Sequence, residues 1–316
     1  ATLVLDLALL AWVPRLTCRV REVVDLLRFG VKLQLGSMLN YGARNIDDLL
    51  IGKFLGERAL GLYQLAYRLM LWPLQRISRS VSAVAFPVMC SIQDDKSRQA
   101  RYFMTITSMI ALVTFPLMVT AGVVAGPLVR VIAGSRWAGA APVLAILCLV
   151  GLVQSISTNT GLIFVSQGRA DARLKLTAVA SSVVVVSFVA GLPWGIVGVA
   201  VAYAVANALL LPVQFAVAGR IIGLRWYRPW RPLLPVFLCA AVMGLIQGGV
   251  RLWLPVRMSD WQTVAVVVAT GLPIYLVFLW CCRVGAFSEM RKQLAAFLQH
   301  RGKRTVEPPA GGSTVG

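Results

Sequence analysis

Long apolar runs separated by short polar clusters dominate the chain. Read with a window of about 20 residues, the helix length that crosses a hydrocarbon core, they resolve into eight segments: 29–52, 60–89, 103–125, 142–166, 174–193, 195–218, 233–253 and 262–281. The runs are continuous, unlike the ~10-residue alternating strands of a membrane barrel, and this predicts helices. An opening run, 1–13, is apolar but shorter than one span and has no basic stretch before it. It reads as the end of a truncated transmembrane helix, not as a signal peptide, and 14–28 reads as a basic cytoplasmic loop. At the other end, Phe287, Met290, Leu294, Phe297 and Leu298 share one helical face. Residues 282–316 are therefore expected to form an amphipathic helix on the inner leaflet followed by a disordered Pro/Gly-rich tail.

Composition narrows the class. Of 316 residues, 58% are hydrophobic and 14% charged, with a mean hydropathy of +0.77, whereas soluble domains carry about 25% charge. That excludes a soluble enzyme, and the same hydrophobicity excludes intrinsic disorder. The formal charge of +19 suggests nucleic acid only if the basic residues share one wet surface. They do not. They crowd into alternate loops: Arg15 to Arg28, Lys96 to Arg101, Arg169 to Lys175, Arg220 to Arg231, and beyond Arg283. The intervening loops hold Lys53, Arg58, Arg130, Arg136, Arg251 and Arg257. The positive-inside rule puts the richer side, and the C-terminus with it, in the cytoplasm. Trp137, Trp194, Trp253 and Trp261 fall at the expected outer ends and Trp12, Trp226, Trp230 and Trp280 at the inner ends, as amphipathic indoles do at headgroup level. No nucleic-acid partner is required.

Little of the usual catalytic chemistry is present. The cysteines, Cys18, Cys90, Cys148, Cys239, Cys281 and Cys282, have no paired metal-ligand spacing, and His300 is the one histidine. Neither a disulfide framework, a zinc site nor a histidine-based triad follows, and no cofactor is expected.

The informative residues are charges inside the predicted spans: Lys32, Arg44, Arg68, Arg76 and Arg79, with Asp47 and Asp48. At about 2.5–3.5 kcal/mol for each one facing lipid near mid-bilayer, their sum is on the order of 15–20 kcal/mol, so they must face something wetter. At 100° per residue, Ser37, Asn40, Arg44 and Asp47 fall within about 80° of one another, and Gln64, Arg68, Gln75, Arg79 and Ser82 within about 60°. Two successive helices thus each carry a polar stripe, and the simplest arrangement lines one cationic, water-filled cavity with both. Guanidinium groups bind phosphate bidentately and keep their charge, while Asn40, Gln64 and Gln75 suit sugar hydroxyls. Arg44, Asp47 and Asp48 read equally well as a mutually neutralised cluster. Arg68 and Arg79 have no acidic residue within 60–89 to pair with and are assigned to binding. Lys32 and Arg76 lie nearer the inner half and read as snorkelling or anchoring groups.

Two weaker polar patches, Gln154 to Thr160 and Tyr203, Asn207 and Gln214, are explained by interhelical hydrogen bonding. Gly191, Gly195, Gly198 and Ala202 read as a close packing edge, and Pro73, Pro116 and Pro212 as kinks.

The stretch Asn45-Ile46-Asp47-Asp48-Leu49-Leu50-Ile51-Gly52-Lys53-Phe54-Leu55-Gly56, followed by Leu60-Gly61-Leu62-Tyr63-Gln64-Leu65-Ala66-Tyr67-Arg68, Phe86-Pro87 and Gln93-Asp94-Asp95, resembles the Wzx-type flippases of lipid-linked oligosaccharides. These belong to the multidrug, oligosaccharidyl-lipid and polysaccharide exporter superfamily. Gly134-Ser135-Arg136-Trp137, Gln167-Gly168-Arg169 and Gly195-Ile196-Val197-Gly198 extend the resemblance, which covers about 29–223. It implies an all-α polytopic membrane protein. The chain would be the second six-helix lobe (29–218) of a fourteen-helix exporter plus two additional C-terminal transmembrane helices (233–281), with an N-terminal lobe missing. The implied function is translocation of an undecaprenyl-diphosphate-linked oligosaccharide across the bacterial inner membrane for O-antigen, capsule or exopolysaccharide synthesis. Arg44, Arg68, Arg79, Asn40, Gln64 and Gln75 would bind the head group and Asp47 or Asp48 would couple movement to an ion. A polysaccharide polymerase and glycosyltransferases would be partners. The alternatives are a flippase for another lipid-linked precursor, such as that of peptidoglycan, and a membrane-embedded glycosyl- or acyltransferase. An enzyme needs an acid or base near a membrane face, and Asp94-Asp95 reads instead as a helix cap.

Overall fold

A computed structural model describes residues 20–225, 227–253 and 258–281. The expectations for 1–13, most of the basic loop and 282–316 lie outside these residues. The described helices are α1 (Val20–Leu55), α2 (Glu57–Ser91), α3 (Lys96–Val123), α4 (Ala125–Ala133), α5 (Ala141–Ser157), α6 (Thr160–Ser166), α7 (Ala170–Gly191), α8 (Gly195–Ile221), α9 (Trp230–Trp253) and α10 (Asp260–Cys281). No strand occurs among the described residues. Short 3-10 turns, Ser135–Ala140 and Leu192–Trp194, join α4 to α5 and α7 to α8.

Five stretches are long and apolar enough to cross a membrane: Lys96–Val123, Ser135–Ser166, Ala170–Ile221, Trp230–Trp253 and Asp260–Cys281. The third of these, 52 residues long, is two helices folded back on each other at the Leu192–Trp194 turn. Its turn depends on Gly195, whose φ of 69° is a left-handed conformation costly for a side chain. The protein is thus a multi-pass membrane protein, and its large exposed apolar surface, Leu245, Leu252 and Leu272 among it, has lipid as its natural solvent.

α1 and α2 are long enough to cross, about 54 Å at 1.5 Å per residue, but are not among the apolar spans. Their buried or half-buried polar groups and cationic residues account for this. α1 also begins earlier than the pattern suggests. No glycine with positive φ interrupts it before Gly56 (φ 86°), so residues 20–28, expected in a loop, are helical.

Helix α5 is the hub, packing on α2, α3 and α8, while α7 and α8 form a hairpin beside α1 and α10 closes on α3, α4 and α9. The α7–α8 approach is close: a Cβ on Gly191 would stand 2.7 Å from the Gly198 carbonyl oxygen and from Val199 Cα. Gly195, in contrast, has open space around it, so its role is the turn and not the packing edge. Trp194, Trp253, Trp261 and Trp280 are exposed at helix ends, as expected of an interfacial belt. Trp137 and Trp230 are half-buried instead. Trp137 packs against Gly61, 3.2 Å from where a Cβ would stand, and Trp230 meets Phe215 edge-on at 5.9 Å.

Side-chain amides pin the end where α2, α3, α6 and α7 converge. Gln99, fully buried, donates through Nε2 to the Met89 carbonyl (3.2 Å) and to Ser166 Oγ (3.0 Å). Its Oε1 accepts from Gln167 Nε2 at 2.8 Å, which also donates to the Gln93 carbonyl at 2.7 Å. Two motifs distant in sequence, Gln93-Asp94-Asp95 and Gln167-Gly168-Arg169, are one network here. Asp95 caps α3, accepting from the Arg98 amide (2.9 Å) and Ser97 Oγ (2.8 Å). These bonds to its charged form hold the carboxyl below its ordinary value.

Candidate functional site

Helix α2 has three distinct faces. Tyr63, Ala66, Met70, Leu74, Ser78, Ala85 and Met89 are its buried face. About 110° round the axis, by the helical period, run Gln64, Arg68, Gln75, Arg79 and Ser82. Arg68 and Arg79 are exposed and Gln64 and Gln75 half-buried. Arg79 Nη2 donates to Gln75 Oε1 one turn back at 3.4 Å. Among the described residues neither Arg68 nor Arg79 has a carboxylate partner; the ion pairs join Lys32 to Asp171 and Arg130 to Asp260. On the other flank, Leu69, Trp72 and Pro73 line an apolar groove of about 590 Å³ completed by α3 and α10, Pro116, Leu117, Leu272 and Leu276 among its walls. Trp72 is largely exposed between the stripe and the groove, with Arg76 over its ring at 5.7 Å.

On α1, Asn40 and Ser37 are exposed, Asp48 is half-buried and Asp47 is buried at 3% exposure. Asp47 accepts a bond from the Asp48 amide (2.9 Å) and neighbours the Tyr63 hydroxyl of α2. The side chain of Arg44 lies outside the described residues. Lys32 does not simply snorkel: its Nζ is 2.6 Å from the Asp171 carboxylate at the start of α7.

Among the described residues, the chamber that the α1 stripe borders does not include the α2 stripe. This chamber, of about 310 Å³, takes Gly36, Ser37 and Asn40 from α1, but not Gln64, Arg68, Gln75 or Arg79. Its remaining walls are the two patches that sequence reasoning set aside. Gln154, Ser157, Thr158, Thr160 and Gly161 come from the α5–α6 junction, and Tyr203, Asn207 and Gln214 from α8, with Arg173, Thr177 and Ser181 of α7 closing it.

The junction explains the first patch. Residues 142–166 lie in one apolar span, as expected, with the α-helical hydrogen-bond pattern interrupted at Thr158-Asn159. The polar side chains there mostly turn back on the interrupted backbone. Thr158 Oγ1 donates to the Gln154 carbonyl (2.7 Å), Thr160 Oγ1 to Ser157 (2.7 Å) and Asn159 Nδ2 to Ser155 (2.9 Å). Only Gln154 bridges helices, donating through Nε2 to the Tyr203 hydroxyl at 2.7 Å. The signal was in the sequence: Ser155-Ile156-Ser157-Thr158-Asn159-Thr160 is a run of residues that compete with helical hydrogen bonding.

This architecture is that of a known membrane-protein fold. The lipid II flippase MurJ, in an inward closed conformation, superposes with a TM-score of 0.62 at 17% identity, over 79% of this chain and 51% of that one. The sequence comparisons narrow the class further. A family model described as polysaccharide biosynthesis protein matches residues 1–142. The teichuronic acid biosynthesis protein TuaB of Bacillus subtilis is 29% identical over 285 residues, 90% of this chain and 58% of that protein. The lipopolysaccharide biosynthesis protein WzxC of Escherichia coli is 26% identical over 245 residues, 75% of this chain and 50% of that one. The succinoglycan biosynthesis transport protein ExoT of Rhizobium meliloti is 28% identical over 148 residues, 46% of this chain and 30% of that one. The chain is thus similar to proteins of polysaccharide biosynthesis, in keeping with the resemblance that its motifs carry. It spans about half the length of the relatives it matches.

Proposed function

We propose that this chain is the second lobe of an exporter that carries an undecaprenyl-diphosphate-linked oligosaccharide across the inner membrane for surface polysaccharide synthesis. The observation that carries the reading is the division of α2. One face presents two guanidiniums with no carboxylate partner among the described residues, beside two amides, and the other opens on an apolar groove. A cargo with an anionic, hydroxyl-rich head and a long hydrocarbon tail matches both at once. Uncompensated arginines would repel a cationic cargo and are costly against lipid, while a diphosphate satisfies their planar donors. The exposed Arg68 and Arg79 face belongs, in this reading, to a cavity completed by an N-terminal lobe, and rocking of the two lobes gives alternating access.

Asn40, Gln64 and Gln75 contact sugar hydroxyls, Arg44 joins Arg68 and Arg79 on phosphate, and Asp47 or Asp48 couples the cycle to an ion. The richer basic side, with the C-terminus, is cytoplasmic, where glycosyltransferases supply the cargo; a polysaccharide polymerase takes it on the far side. The protein is a transporter and not an enzyme. Export of surface polysaccharide by cells carrying the intact reading frame tests the reading. Arg68→Ala with Arg79→Ala should abolish export at unchanged protein level, and Arg→Lys at both positions should restore part of it. Undiminished polysaccharide in the double alanine variant removes the binding assignment.

A further inference from the structure

The α5–α6 junction has a consequence for the chamber it lines. Irregular backbone at membrane depth is tolerated only where it is buried in protein or borders a water-filled cavity, and discontinuous helices in transporters commonly border binding sites. At Thr158-Asn159 the backbone stays in the right-handed helical region, but the bonding tightens to Gly161 N on the Thr158 carbonyl (3.2 Å) and Leu162 N on the Asn159 carbonyl (3.0 Å), and this local distortion borders the 310 Å³ chamber.

The chamber's electrostatics are one-sided. Among the described residues its walls hold hydroxyls and amides, no carboxylate, and one formal charge, Arg173. That guanidinium is half-buried and lies against Gly161, where a Cβ would stand 3.8 Å from its Cζ. The nearest acid in sequence, Asp171, is engaged by Lys32 at 2.6 Å, and no ion pair to Arg173 exists among the described residues. A partly desolvated cation with no counter-charge is costly; an anion entering the chamber removes that cost.

A second group is also incomplete. Gln154 is 5% exposed, lines the chamber and gives its Nε2 to Tyr203, leaving its buried Oε1 without a donor. A buried acceptor left unmatched costs about 1–3 kcal/mol. A deprotonated phosphate oxygen on Arg173 brings no proton for it, whereas a sugar hydroxyl does. Asn40, Ser181 and Asn207 add neutral donors and acceptors around the same space.

We propose that this chamber binds a sugar phosphate, with the phosphate on Arg173 and a ring hydroxyl donating to Gln154 Oε1. At about 310 Å³ it lies at the small end of ligand pockets, which fits one sugar unit and its phosphate and not a polymer. The site shares Ser37 and Asn40 with the polar stripe of α1, whereas Gln64, Arg68, Gln75 and Arg79 of α2 do not line it. The shared chemistry serves either source, the first sugar of a lipid-linked cargo or a free sugar phosphate; the first rests on the function proposed above, the second does not.

The test is ligand-induced thermal stabilisation of the chain in lipid nanodiscs. The probes are glucose 1-phosphate, galactose 1-phosphate, glucose, inorganic phosphate and an undecaprenyl-diphosphate-linked monosaccharide. At least one sugar phosphate or the lipid-linked sugar should stabilise the wild type at tenfold or more lower concentration than glucose or phosphate. Stabilisation by the lipid-linked probe alone assigns the lipid source, and by the free esters the soluble one. Arg173→Gln and Gln154→Leu should each raise the required concentration at least tenfold, with Arg173→Lys retaining part of the response. An unliganded melting temperature near wild type establishes that each variant is folded. Equal response to inorganic phosphate and sugar phosphates, no response to any sugar phosphate or to the lipid-linked sugar, or a response insensitive to Arg173→Gln overturns the proposal. Loss of export in Arg68→Ala with no sugar-phosphate binding refutes this inference alone. Intact export in that variant with binding present refutes the earlier reading and leaves this one standing.

Discussion

Replacing Gly191 with alanine tests the closest helix approach in the fold. Gly191 has a helical backbone, φ −77° and ψ −22°, so alanine gains about 1 kcal/mol of helix propensity. Against that, the new methyl would stand 2.7 Å from the Gly198 carbonyl oxygen and Val199 Cα and 2.8 Å from Val199 N. All three are backbone atoms of α8, with no rotamer to move aside. Overpacking of this kind costs about 1–3 kcal/mol, and the rigid partner puts Gly191 at the upper end, for a net loss of about 2 kcal/mol. Gly195 supplies the control. It has no atom within 4 Å of a Cβ but a φ of 69°, so Gly195→Ala should lose about 1–2 kcal/mol through its backbone alone. With ψ at −163° that conformation is essentially confined to glycine, so Gly195→Asn should be no better than Gly195→Ala, whereas Gly191→Asn should be worse than Gly191→Ala. Reversible unfolding in mixed micelles measures all four. Wild-type stability in Gly191→Ala, or rescue by asparagine at 191, would show that α7 and α8 are not held this close.

Three further outcomes follow from named contacts. Gln99→Ala breaks three buried hydrogen bonds and should lower unfolding free energy by about 2–3 kcal/mol, at roughly 1 kcal/mol each, with hydrogen exchange rising at Met89 and Ser166. The bidentate Arg130–Asp260 pair, 2.9 and 2.6 Å, is more than a third exposed on both sides; a double-mutant cycle should give only about 0.2–1 kcal/mol. Asp95, held below its ordinary value by the α3 amides, contributes stability that is present above the unfolded carboxylate pKa and lost as pH falls through the lowered folded value. Asp95→Asn keeps the cap but should flatten that part of the acid dependence of the melting temperature.

Much of the fold was readable because a bilayer demands long apolar helices with satisfied backbones. α3 and α7–α10 sit within a few residues of the predicted spans. The two charged helices were readable as exceptions, and their stripes follow from helical period alone. What the pattern missed were pairings between distant segments. Nothing local says that Gly61 makes room for Trp137, that Gln167 reaches Gln99, or that Lys32 finds Asp171. In the polar run 154–160, Gln154 reaches a neighbouring helix as its residue type suggests, but Thr158, Asn159 and Thr160 bond to carbonyls three or four residues back, a choice that composition alone leaves open. That run, with Asn207 and Gln214 opposite, makes the chamber inside the lobe, while the stripes on α1 and α2 contribute only Ser37 and Asn40 to it.

Whether the arginine face of α2 is wet is measurable without knowing the cargo. In a background freed of native cysteines, Arg68→Cys and Arg79→Cys should react with a membrane-impermeant maleimide in native membranes. Leu69→Cys, Leu117→Cys and Leu272→Cys, in the apolar groove, should stay unlabelled until detergent is added. Labelling of the two arginine positions no faster than the groove positions would mean that both faces meet hydrocarbon, and the anionic-cargo account would be contradicted.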